Sequence, residues 1–181
     1  MGAYTATPEV QLLSNGRYHV MITSAGGGYS NWRDLAVTRW REDATTENTG
    51  SFCYVRDLDN GKFWSTTYQP TLRMPRAFEA VYANARVEFR RMDDEIECRT
   101  RISVSPEDDV ELRRITVTNL SDKPRTIELT SYAEVVLAAA AQDLSHPAFS
   151  GLFVESEILP ERGAILCTRR QRQPDERPPW M

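Results

Sequence analysis

NGRYHVMITSAGGGYSNWRDLAVTRWRED, residues 15–43, carries strand-like alternation on both sides of a glycine run. Asn15-Gly16 predicts a tight hairpin turn, because both residue types tolerate the positive φ that such a turn needs. In the return stretch, Tyr18, Val20 and Ile22 alternate with His19, Met21 and Thr23, the period-2 pattern of a half-buried strand. Gly26, Gly27 and Gly28 predict a wide loop over residues 24–32. Beyond it, Leu35, Val37, Arg39 and Arg41 fall on one face, and Ala36, Thr38 and Trp40 on the other.

The same patterning extends in both directions. Residues 10–14 precede the hairpin. Further strands are predicted at 51–56, 62–66, 78–82, 85–91, 95–104, 110–119, 126–137, 150–159 and 164–169. Turn chemistry separates them, as in Asp57-Leu58-Asp59-Asn60-Gly61 and Ser105-Pro106. Residues 138–141 suggest a helical turn, and 142–149 a loop. Many short strands at hairpin spacing, with no amphipathic helix, indicate an all-β antiparallel two-sheet sandwich. The expected organisation is a lead over residues 1–9, a sandwich over 10–172 and a loose, proline-rich tail over 173–181 that reads as a cut end.

The 181 residues are enough for one domain with a real core. A net charge of −4, with acidic and basic residues well mixed, argues against nucleic acid as a partner. The longest apolar run, residues 135–141, falls far short of the ~20 residues that a membrane-spanning helix needs. Cys53, Cys98 and Cys167 lie far apart, form no zinc-type pair and sit in strand patterns, as buried reduced thiols do.

No complete catalytic set is visible. The chain has two histidines. His19 is mid-strand and reads as a packed face residue, whereas His146 precedes Pro147 in a loop where a ligand can reach it. The glycine run leads into a strand and lacks the lysine of a phosphate loop. Tyr29 and Trp32 offer flat faces to a sugar ring, with Asn31, Arg33 and Asp34 as hydroxyl partners. Arg39, Arg41 and Asp43 form a second polar cluster around Trp40; its plainer reading is pairing with neighbouring strands. Glu95 with Glu97, and Glu155 with Glu157, have the spacing of a solvated strand face rather than an acid pair.

Taken in order, five motifs carry a family resemblance: residues 15–43, GSFCYVRDLDNGKFWSTTYQP (50–70), VSPEDDVELRRITVTN (104–119), ELTSYAEVVLA (128–138) and HPAFSGLFVESE (146–157). Together they resemble the N-terminal β-sandwich of the inverting disaccharide phosphorylases, which include cellobiose and chitobiose phosphorylases. They look most like its copies within cyclic β-1,2-glucan synthases. The resemblance implies a galactose-mutarotase-like supersandwich, followed in the family by an (α/α)₆ barrel that carries the general acid and most sugar and phosphate subsites. It implies a chain with no turnover or cofactor of its own, from a parent that uses inorganic phosphate. The barrel, a β-glucan and a second subunit are the implied partners. The implied location is the cytoplasmic side of a bacterial inner membrane, with no insertion by this segment. Tyr29, Trp32, Arg39, Arg41, Asp43 and His146 are the substrate-contact candidates. An independent carbohydrate-binding module and a purely structural or dimerisation domain are the alternatives.

Overall fold

The structure is a computed structural model and describes residues 9–41, 48–171 and 178–181. The bulk of the predicted tail, and Asp43, lie outside the described residues.

One layer is a four-stranded antiparallel sheet of β7 (Ala77–Ala83), β8 (Arg86–Asp93), β9 (Ile96–Val104) and β10 (Glu111–Asn119), with β10 and β7 at its edges. The opposing layer is built from two sheets. The first runs in the order β1 (Val10–Ser14), β2 (Tyr18–Thr23), β3 (Gly28–Trp32), β4 (Leu35–Thr38) and β12 (Val135–Ala138). The second runs β11 (Ile127–Ala133), β5 (Ser51–Asp57), β6 (Phe63–Ser65). This is the antiparallel β-sandwich that the alternation predicts.

Alternation puts one side of every strand into the space between the layers. Leu13, Val20, Ile22 and Val37 of the first sheet meet Ala80, Val87, Phe89 and Ile102 of the four-stranded sheet. Val55 and Trp64 of the second sheet meet Ile96 and Cys98. Each such aliphatic or aromatic side chain contributes roughly 1.5–3 kcal/mol by leaving water. All three cysteines are buried thiols, and burial pushes the Cys98 thiol up to about 12.

Four elements differ from the sequence expectation, each for a local reason. The first hairpin is wider than two residues, since Ser14 pairs with His19. The Asn15 side-chain oxygen accepts from the N–H groups of Arg17 and Tyr18 and closes the turn. Residues 24–32 are not all loop: β3 begins at Gly28, which pairs with Ile22 and whose N–H donates to Thr49 O. Residues 126–137 are not one strand. The chain leaves the β5 sheet at Ala133 and joins β4 from Val135, so Glu134 is the corner between sheets. Residues 140–151 are helical rather than loop, as α1 (Ala140–Ser145) and α2 (Pro147–Gly151), before the hairpin of β13 (Val154–Leu159) and β14 (Ala164–Arg169).

Candidate functional site

The helical segment is short, and neither helix has a side-chain N-cap bond. A six-residue helix does not hold itself together in water. Here two arginines from distant strands hold it. Arg39, just past β4, donates from Nε and Nη2 to the two oxygens of Asp143 at 2.8 and 2.9 Å. The same guanidinium reaches Glu134 Oε2 at 3.2 Å and Pro147 O at 3.3 Å. Arg169, at the end of β14, donates to Val136 O at 2.9 Å, Ser150 O at 3.2 Å and Ser150 Oγ at 3.3 Å. Its guanidinium also lies 5.5 Å from the Phe153 ring centroid.

Electrostatics fit this clamp. Burial alone would raise the Asp143 carboxyl. The forked bond and charge of Arg39, a bond from Ser150 and the charge of Arg41 outweigh it and hold the group below its ordinary value. The fork is the geometry in which guanidinium binds carboxylate best.

Beside the clamp lies a cleft of about 460 Å³ lined by Gln142, Ser145, His146, Phe149, Ser150, Phe153 and Gln171. That volume is within the range of small-molecule sites. Its lining has no carboxylate, lysine or arginine: two carboxamides, two hydroxyls and an imidazole lie with two aromatic rings. Phe149 and Phe153 meet edge to face at 5.2 Å. Such a lining can pack the apolar face of a ring and bond to neutral hydroxyls. Among the described residues, no group of three metal-type ligands forms.

The structure distributes the sequence candidates over different places. His146 lines the cleft, and Arg39 bonds to Asp143 and Pro147 of the segment and to Glu134 at the corner between sheets. Arg41 is exposed, and its charge acts on Asp143. Tyr29 points away from the sandwich core and meets Trp40 edge to face at 5.7 Å. Trp32, on the opposite parity, packs against the core; its Nε1 donates to Asp109 Oδ2 at 2.6 Å, and Arg33 lies over its ring. Sequence reasoning missed Gln142, Phe149, Phe153 and Gln171 as a set. The available signal was the i, i+4 aromatic pair Phe149 and Phe153 beside His146.

Comparison with known proteins places the chain. The family model described as glycosyl hydrolase 94, supersandwich domain, matches residues 2–181. The chain is 37% identical over 168 residues to the cyclic β-(1,2)-glucan synthase NdvB of Rhizobium meliloti (strain 1021), covering 93% of this chain and 6% of that protein. It is 27% identical over 141 residues to an N,N′-diacetylchitobiose phosphorylase of Vibrio furnissii, covering 75% of this chain and 18% of that one. It is 30% identical over 117 residues to a 3-O-β-D-glucopyranosyl-β-D-glucuronide phosphorylase of Paenibacillus borealis, covering 65% of this chain and 14% of that protein. The chain therefore spans less than a fifth of the length of each of these relatives. With a match along almost its whole length, and with the antiparallel sandwich that the match describes, the chain belongs to the glycosyl hydrolase 94 supersandwich-domain family.

Proposed function

We propose that this chain is a noncatalytic sandwich of a β-glucan-processing enzyme, which braces a catalytic domain and lends the cleft at His146 to the wall of its carbohydrate site. One observation carries the reading: an uncharged, aromatic-and-amide cleft is built on a segment that two arginines hold rigid. A site that must meet a neutral sugar gains from being set in place before the sugar arrives. His146, Gln142 and Gln171 supply the hydroxyl partners, and Phe149 the ring contact. Arg41, whose charge acts on Asp143, extends that wall, and Asp43 is proposed as a further sugar contact. Arg39 acts behind it, as a support, whereas Trp32 packs in the sandwich core and bonds to Asp109.

Bracing rests on exposed apolar side chains next to the cleft. Leu152 and Ile158 are 69% and 72% exposed, and Leu144 and Ile165 are also open to solvent. Patches of this kind mark protein contacts. The occupant proposed is the helical barrel of the longer enzymes, since the relatives carry several times the length of this chain. The parent reaction is phosphorolysis or trimming of a β-glucan, with inorganic phosphate and the acid supplied by the barrel, on the cytoplasmic side.

The test is an amide-shift titration of the chain with linear β-1,2-linked glucose oligomers. Shifts at residues 142–153 and Gln171, weakened by His146→Ala, support the reading. No shift there at millimolar sugar removes direct contact from this chain and leaves bracing alone.

A further inference from the structure

The strand register shows a second surface with unusual chemistry. On the side of the β1–β4 sheet opposite the inter-layer core, one cross-strand row is Ser14, His19, Asn31 and Ala36, the last of them buried against Val136 and Ala138. The next row is Leu12, Met21 and Tyr29, and Trp40 closes it through its edge contact with Tyr29. These rows contain no Asp, Glu, Lys or Arg, in a chain that is 27% charged. The outward side of the other layer is the opposite case: Arg90, Arg99, Arg101 and Arg114 sit there around Glu88 and Glu97. A solvated strand face looks like that second one. An uncharged face with Leu12 67% exposed is made for contact.

What it contacts follows from the polar groups at its centre. Among the described residues, the side-chain amide of Asn31 makes no hydrogen bond, and the His19 ring bonds to Ser14 Oγ alone, at 2.8 Å. Covering this face with an apolar protein surface would strand the Asn31 amide without a hydrogen-bond partner, which is costly. A chain of sugar rings avoids that cost. Its hydroxyls bond to Asn31 and His19, and its C–H faces pack on Tyr29, Trp40 and Leu12. We infer that the outward face of the β1–β4 sheet, centred on Asn31 and the Tyr29–Trp40 pair, is a second carbohydrate-binding surface that holds a stretch of neutral glucan. It is distinct from the cleft at His146: on β4 and its extension, Arg39 and Trp40 point to opposite sides. The ligand class rests on the glucan reading above, but the site does not.

The experiment uses the whole chain and linear β-1,2-linked glucose oligomers, observing the Asn31 side-chain amide and the indole N–H of Trp40 by NMR. Both resonances are expected to move on titration. Tyr29→Ala should weaken the apparent Kd at these reporters roughly five- to tenfold. Asn31→Asp, which keeps the size and adds a charge, should weaken it comparably. Neither should change shifts at Gln142 or Gln171, so the two sites succeed or fail separately. The inference is overturned if the Asn31 and Trp40 reporters stay still at millimolar sugar, or if both variants leave their Kd unchanged. It is also overturned if sedimentation finds a self-associated chain that Asn31→Asp dissociates, because the face is then a protein contact.

Discussion

The indole Nε1 of Trp32 donates to Oδ2 of Asp109 at 2.6 Å and so joins the end of β3 to the turn between β9 and β10. Asp109 also accepts from Arg17 Nε at 2.9 Å and Asn15 Nδ2 at 3.3 Å. Three residues of the opening hairpin region thus converge on one carboxylate of the opposite layer. The Trp32 bond, before the others, holds that carboxyl below its ordinary range. Trp32→Phe keeps the ring in the core and removes the bond. The expected result is a thermal midpoint lower by roughly 3–6 °C, with sugar-induced shifts at Asn31 and Gln142 unchanged. A loss of sugar binding without loss of stability would make Trp32 a direct contact instead.

Arg39→Lys tests the clamp. Lysine keeps the charge but cannot fork onto both Asp143 oxygens while also reaching Glu134 and Pro147. Asp143 would keep its buried carboxylate with fewer bonds, a local cost of about 1–3 kcal/mol. The effect should be confined to the segment. Hydrogen exchange of amides 140–153 is expected to speed up about tenfold or more, while exchange in β8 and β9 stays as it is. His146 shifts on sugar titration should weaken in parallel, because the cleft is no longer set in place.

Period-2 alternation made the sandwich legible, since it is imposed by burial of one strand face. It also contained the fate of Trp32: two positions from Ser30, which is buried and bonded to Glu111, Trp32 had to share the core parity, and Tyr29 the other. What alternation cannot convey is which strand lies next door. Residues 126–137 alternate without a break, yet the change of sheet at Glu134 comes from β4 pairing with β12. Gly28 reads as loop because glycine permits turns. It is in a strand because it pairs with Ile22, so close to β2 that a Cβ would meet the Met21 carbonyl. The helical segment has no periodicity to detect at its length. Its partners, Arg39 just past β4 and Arg169 at the end of β14, lie far from each other in sequence.

Glu88 should make stability depend on acid. Its carboxylate is buried on the outward side of β8 and accepts from Arg90, Arg99 and Arg101. Burial would raise its pKa, but the three arginines outweigh it and hold the group down at about 2, from 4.5. A carboxyl lowered on folding stabilises the folded chain above its unfolded value, and that contribution fades as pH falls from 4.5 toward 2. Glu88→Gln should cost about 1–2 kcal/mol at pH 6, at the low end for a buried charge because the arginines keep contact with water. Urea midpoints of parent and variant should differ at pH 6 and draw together as pH falls from 4.5 toward 2. A difference that persists at low pH would mean that packing, not charge, is what the substitution removes.

Gly28→Ala separates close approach from mere backbone freedom. Gly28 has φ +155, and a Cβ there would sit 1.9 Å from the Met21 carbonyl oxygen, an atom fixed in the β2 ladder. No flexible side chain can move aside, so β2 and β3 must part. The expected cost is at least ~3 kcal/mol, or failure to fold. Gly61 is the control, with φ +72 and nothing within 4 Å of the place an added methyl would take. Gly61→Ala meets only the left-handed backbone penalty, about 1 kcal/mol. Thermal melts of the two variants should therefore differ widely although both replace a positive-φ glycine. Equal losses would mean that the β2–β3 pairing yields more easily than its register suggests. The outward rows of Asn31 and Tyr29, which depend on that pairing, would then be less firmly presented to a ligand.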